Sequence, residues 1–401
     1  MNRLILPLMI LSAVIGGSAN AQSSRAFAVT SDVKGSVNWL NVQEINLNNG
    51  STLKPIYNPS ATKGVTFDGT TTALRGINSN SVATENGVAA AAYDKKNNRL
   101  YYTQMHGTDL RYFDLNSSET KVVINNDAQF STGVKVDESN VITRMAFAAD
   151  GFGYALTNDG NQLIRFSTGA QPEIVKLGSL IDSKKNKDIS VHVQCTSWGG
   201  DLVGDIYGNL YLFTMRNNIF KININTREAE FVGTIKNLPT DFTTNGAAAD
   251  EDGNVIVASA VNNDSYYKVN LSTLNAVALT NKGEIALTST ADLASGNLIF
   301  QSKPTTATAP VTTTTNANIE MYPNPVINRT FNVQFGKLPV GNYTIEISDI
   351  NGRKVTTKTI AVNGVQNSKM NLPSSINTGL YMVRVFNTSG AVVYTNKLAV
   401  E

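Results

Sequence analysis

The side chains able to do chemistry in this 401-residue chain are few. A Cys or Ser nucleophile needs a base held against it, and His106 and His192 are the only two histidines. The single cysteine, Cys195, lies three positions from His192, so a Cys–His pair is conceivable, although no local motif surrounds it. The plainer expectation is an ordinary loop histidine and a buried, inert thiol. One cysteine also excludes an internal disulfide framework. Asp250-Glu251-Asp252-Gly253-Asn254 has the opening of a calcium loop, but Val261 stands where a bidentate Glu should close it. No His/Cys spacing suits zinc, no Gly-rich loop precedes a helix and no Gly-x-Ser-x-Gly elbow occurs. Neither metal, cofactor nor a catalytic constellation is therefore expected. What remains is a set of polar residues that recur in one kind of loop: His106 and Asp109, Asp159 and Asn161, Arg216 and Asn217, Asn263 and Asp264.

Those loops follow a repeated unit of small or apolar strand, tight turn, and aliphatic or aromatic strand. It reads Ala90-Ala91-Ala92-Tyr93, Asn97-Asn98, Arg99-Leu100-Tyr101-Tyr102, and returns around Asp150-Gly151, Tyr207-Gly208-Asn209, Asp252-Gly253-Asn254 and Ser295-Gly296-Asn297. A third strand usually follows, as at 110–115, and a fourth, as at 121–124. Four strands in a unit of roughly 40 to 50 residues mark a β-propeller blade. One blade cannot bury both sheet faces, so the blades must close a ring. Residues 26–57 lack a first strand and the last repeat, near 292–301, supplies two without followers, so the ends are expected to share strands. About six blades are expected over 22–301, five or seven being the alternatives, with a pair of β-sandwiches as the rival arrangement. The Asp-Gly-Asn turns also resemble the repeats of NHL-type propellers.

The long excursions, 58–86, 181–198 and 236–245, fall between a fourth strand and the next first strand. In a propeller they share one rim with the loops that carry His106 to Asp264, so a ligand is expected on that face. The plainer expectation for the same residues is solvated turn positions. Trp39 and Trp198 are expected as blade-packing aromatics, with sugar stacking as the alternative.

The chain outside the body is a matter of export. Asn2-Arg3, an apolar run from Leu4 to Ile15, and Ala19-Asn20-Ala21 make residues 1–21 a Sec signal peptide. Residues 302–318, rich in Thr, Ala and Pro, read as an extended linker. Beyond it come Tyr322-Pro323-Asn324-Pro325, Asp349-Ile350-Asn351-Gly352-Arg353, Gly379-Leu380-Tyr381-Met382-Val383-Arg384-Val385 and Lys397-Leu398-Ala399-Val400. Alternation at Phe331, Val333, Phe335 and at Tyr343, Ile345, Ile347 gives half-buried strands, and Asn351-Gly352 suits a tight hairpin. This run, 319–401, resembles the type A C-terminal sorting domain of the type IX secretion system of Bacteroidetes. The resemblance implies a small immunoglobulin-like sandwich, recognised by the outer-membrane translocon and its shuttle barrel, and usually removed there by a sortase-type cysteine peptidase. Cleavage is expected in the linker or just before Tyr322.

With 33 basic against 31 acidic residues and no Lys/Arg run with interleaved aromatics, nucleic acid is not an expected partner. The expectation is an all-β chain, propeller then sandwich, exported through the Sec translocon and the type IX apparatus to the cell surface or medium. There it would bind an unknown protein or glycan. An accessory subunit of the secretion or gliding machinery and a carboxylate-dependent lyase or hydrolase are the alternatives.

Overall fold

In the computed structural model the chain divides into two compact units, one ending at Pro304 and one starting at Thr305. Residues 24–400 are described apart from 32, 34–37, 72, 79, 106, 108, 126–129, 131–136, 170–171, 263, 280–288, 302–318, 327, 337, 350–353, 375 and 389–391. The signal peptide, the linker, His106, Asn263, and Gly352 with Arg353 lie outside the described residues.

Five sheets build the first unit. The first holds β1 (Arg25–Ser31), β2 (Asn41–Asn46) and β3 (Thr52–Tyr57). After β4 (Thr66–Gly69) comes the second, with β5 (Val88–Asp94), β6 (Arg99–Gln104), β7 (Leu110–Asp114) and β8 (Lys121–Asn125). The third holds β9 (Ile142–Phe147), β10 (Gly153–Thr157), β11 (Leu163–Phe166) and β12 (Ile174–Gly178). Then β13 (Ile181–Asp182) precedes the fourth, β14 (Asp201–Gly204), β15 (Asn209–Phe213), β16 (Asn218–Asn223) and β17 (Glu228–Thr234). The fifth runs β18 (Gly246–Ala249), β19 (Val255–Ala258), β20 (Tyr267–Asn270) and β21 (Asn275–Ala278). Last, β22 (Ser289–Ser295) pairs antiparallel with β1 and completes the first sheet as its innermost strand.

The inner strands meet in sequence: β5 packs beside β9, β9 beside β14, β14 beside β18, β18 beside β22, and β22 beside β5. The ring therefore closes on five blades, not about six, because the first and last repeats are one blade sharing strands. Leu298-Ile299-Phe300, expected as a second strand, is displaced from that place by β1. It runs between the fourth and fifth blades instead, where Ile299 N–H donates to the Gly204 carbonyl (2.9 Å) and Phe300 N–H to that of Gly253 (3.0 Å). Inner strands crowd the axis, which is why β5 and β18 are rich in Ala and Gly: a Cβ on Gly246 would lie 2.7 Å from the Leu293 nitrogen.

The excursions do something the strand pattern did not announce. Each lays a parallel stretch on the outer edge of the next blade before diving to the axis: β4 on β8, β13 on β17, and Lys236 against Asn275 of β21. Those outer edges are thereby covered rather than left as templates for pairing.

The second unit is a sandwich. One sheet has the order β23 (Ile319–Tyr322), β24 (Thr330–Phe335), β27 (Gln366–Asn371). The other is β26 (Lys354–Val362), β25 (Gly341–Asp349), β28 (Gly379–Phe386), β29 (Val392–Val400). Phe331, Val333 and Phe335 share its core with Tyr343, Ile345 and Ile347, as their alternation required. Motif residues distant in sequence meet here. Asn324 donates from Nδ2 to the Lys397 carbonyl (2.8 Å) and accepts at Oδ1 from Ala399 N–H (2.9 Å). Tyr322 Oη accepts from Asn367 Nδ2 (2.6 Å), and Asp349 lies opposite Tyr381 in the register of β25 and β28.

Candidate functional site

The loops joining second to third strands and the outer-to-inner excursions converge on one end of the propeller axis. There they enclose a cavity of about 270 Å³. Trp39 comes from the β1–β2 loop, Met105 from β6–β7, Asn158 from β10–β11, Met215 and Arg216 from β15–β16, and Trp198 from the excursion before β14. Further along the inner strands a separate pocket of about 20 Å³ lies among Met145, Leu202, Ala247 and Leu293. The chain's two tryptophans both line the cavity, and Trp39 also packs against the apolar core between the first and second blades, as expected of a blade-packing aromatic. The signal for this was positional, since each stands in a loop of the elaborated rim.

The wall around Trp198 is built from the backbone. Gly199 (φ +70°) and Gly200 (φ +87°) turn the chain sharply into β14, and a Cβ on Gly200 would sit 1.8 Å from the Phe213 carbonyl oxygen. Asn158 Oδ1 accepts from Gly199 N–H (2.7 Å) and Thr143 Oγ1 (3.3 Å). Across the cavity, Asn245 Oδ1 accepts from Ala260 N–H (3.0 Å) and Thr243 Oγ1 (2.8 Å).

Beneath the cavity three charged residues sit one position past lining residues of three inner strands: Arg144 after Thr143, Asp201 after Gly200, Asp292 after Ala291. All three are fully buried. Arg144 donates Nε to the Gly199 carbonyl (3.1 Å), Nη1 to that of Thr157 (3.1 Å) and Nη2 to that of Ser197. Burial pulls its pKa down to about 9, while the fields of Asp159 and Asp201 oppose that fall. Asp201 ties three inner strands: Oδ1 accepts from Leu202 N–H (2.7 Å), Oδ2 from Ala247 N–H (2.8 Å) and Leu293 N–H (3.4 Å). Burial nevertheless raises its carboxyl well above the usual carboxylate range. Asp292 is raised by burial and then by the neighbouring Asp201, and neither of its oxygens has a well-formed hydrogen bond.

The sequence candidates divide sharply. Among the described ones Arg216 lines the cavity, exposed and with no ion pair or hydrogen bond to a described residue. Asp159 is absorbed by its own turn, its carboxylate accepting from Thr157 Oγ1 (2.6 Å), Asn161 N–H (2.9 Å) and Asn161 Nδ2 (2.6 Å). Asn217, at φ +61°, staples neighbouring blades through the Phe242 carbonyl and Thr244. Asp109 pairs with Arg111 (2.9 Å), and Asp264 lies in a turn whose N–H is held by Asn262. Cys195 is exposed, not buried, because the one-turn helix Gln194–Ser197 turns it outward. Both His192 ring nitrogens face carbonyls, Nδ1 that of Asp159 (2.8 Å) and Nε2 that of Leu180 (3.2 Å). The ring is thus held between the Asp159 turn and Leu180, and its nitrogens are directed at carbonyls rather than at Cys195. The Asp250–Asn254 run is the β18–β19 turn, with Asp250 accepting from Asp252, Asn254 and Lys268.

Residues 320–401 match the family described as the secretion system C-terminal sorting domain. No curated protein matches the chain. Among solved structures, a streptogramin B lyase is 10% identical over 61% of this chain and 63% of its own, with TM-score 0.32. PorZ, a bacterial surface component of the type-IX secretion system of Porphyromonas gingivalis, is 13% identical over 94% and 51%, with TM-score 0.30. A protein of unknown function from Bacteroides thetaiotaomicron is 15% identical over 64% and 59%, with TM-score 0.38. The chain spans less than two thirds of each of those structures, and superpositions this loose bear on neither ligand nor partner.

Proposed function

For a chain whose tail is a type IX secretion sorting domain, handled by that system and exported to the cell surface or beyond, we propose a binding role centred on the propeller's axial cavity. One observation carries it: the rim to which the 181–198 and 236–245 excursions contribute also brings both tryptophans to one partly open cavity. Such a pocket, mostly apolar with a few placed polar groups, is the usual form of a small-ligand site. The Sec translocon, the outer-membrane translocon, the shuttle barrel and a sortase are the partners that export would engage. A lyase or hydrolase would have to work from Glu138, the carboxylate at the cavity mouth, because Asp159 is spent in its turn. A lasting place on the secretion machinery would show as retention with outer-membrane barrels after detergent extraction.

The test uses the two tryptophans as reporters. A panel of small acids, amines, neutral amides and sugars is titrated against the exported protein while indole emission is followed. A saturable shift that Trp198→Ala removes is the expected result. No saturable shift with any class, or one that survives loss of Trp198, would sink the reading.

A further inference from the structure

We infer that the axial cavity takes a small carboxylate with an apolar body, an inference that rests on the cavity being the binding site. The polar groups around it are not neutral in what they offer. Asn158 and Asn245 each have the amide oxygen occupied by a backbone N–H and a hydroxyl, which fixes the orientation of both amides. Neither NH2 group bonds to a described residue, so each is left as a donor. Arg216 adds a planar guanidinium with five N–H donors, likewise without a partner among the described residues. Three donor groups on three different blades therefore border one space whose walls are Trp39, Trp198, Met105 and Met215.

A ligand that answers those donors brings acceptors, and the single cation makes an anion the better match. Glu138, exposed at the mouth, is screened by solvent and faces water as readily as ligand. The walls demand a body of rings or methylenes, for which polarizable thioethers and indole faces are suited. Size adds a limit: about 270 Å³ falls just under the ~300–1,000 Å³ typical of small-molecule sites, so the ligand is a compact acid or the last residue of a peptide.

The experiment compares 4-phenylbutyrate, its amide 4-phenylbutyramide, and N-acetyl-glycyl-phenylalanine as free acid and as amide, by calorimetry on the full-length exported protein. The acids are expected to bind at least tenfold tighter than the amides. Arg216→Ala should erase that ratio while leaving amide binding in place. Asn158→Asp keeps the acceptor for Gly199 N–H, replaces the donor by an oxygen, and should weaken the acids at least tenfold with the melting temperature held. Preference for the peptide acid over phenylbutyrate assigns the source to a chain terminus, and the reverse to a free acid. If acids and amides bind alike, or Arg216→Ala leaves the ratio intact, the carboxylate inference falls while the cavity survives. If none of the four binds, the carboxylate inference falls, and the binding reading then stands or falls with the amine and sugar arms of the tryptophan titration.

Discussion

In the sandwich, Phe331, Val333 and Phe335 meet Ile345, Ile347 and Val385 in a dry core, whereas the centre of the propeller is crossed by a guanidinium and two carboxyls. The sandwich draws its stability from apolar area, a term that depends little on geometry beyond good packing. The propeller axis is held by directed bonds, in which Arg144 fastens the Ser197–Gly199 turn and Asp201 fastens three inner strands. A dry core fails by cavities, and a polar one by leaving a donor or charge without a partner. The cavity wall is attached to the second kind, so the shape of the cavity depends on the buried charges of the propeller.

That contrast can be broken by substitution, with hydrogen exchange reading each unit's strands separately. Phe335→Ala should cost about 3–5 kcal/mol, the range for emptying a buried aromatic, and should deprotect the sandwich strands while sparing the propeller. Arg144→Met leaves the Ser197 and Gly199 carbonyls unanswered, Thr157 keeping its bond from Gly160 N–H, and should cost about 3 kcal/mol, now in the propeller, with a shift of Trp198 emission. Equal loss in both units for either variant would abolish the distinction.

Asp292→Asn should act with the opposite sign. Its folded carboxyl titrates above the ordinary value, so above about pH 4 the native state keeps a proton that the unfolded chain has released. Stability tied to that proton is whole below the ordinary range and is lost as pH rises through the folded value. A neutral amide escapes the loss, so the variant should be about 2 kcal/mol more stable at pH 7 and flatter in its pH profile. A less stable variant at neutral pH would show that the charge is compensated. Smaller still, Asn324→Ala should cost about 1 kcal/mol in the sandwich alone, by releasing Lys397 and Ala399. Asp264→Asn, in an exposed turn, should stay within about 0.5 kcal/mol in thermal melts.

How far these features could be read in advance follows the same division. Alternation at Phe331 to Phe335 was enough for the sandwich, because period-two burial is written locally. The turns at Asp150-Gly151 and Asp252-Gly253 marked the blades, and the Ala-rich runs proved to be inner strands. The blade number miscarried because Leu298-Ile299-Phe300 has strand composition but no free place in a sheet already holding β1. At the site, Asp159 and Asn161 matched an Asx-type turn as well as a ligand shell, and local chemistry alone could not separate the two. Arg144, Asp201 and Asp292 come from three blades, and nothing in their neighbours foretold that the ring would bring them together.

The wedge at Ile299 and Phe300 also has a mechanical meaning. The last blade strand, β22, is the ring's fastener, and the segment that leaves it runs on to the part of the chain engaged during export. A pull from that side meets Ile299 and Phe300 first, anchored to Gly204 and Gly253 between two blades, before it reaches the β22–β1 ladder. Under tension on the tail such a segment would act as a strain relief, taking load into the fourth and fifth blades before the seam that keeps the ring shut.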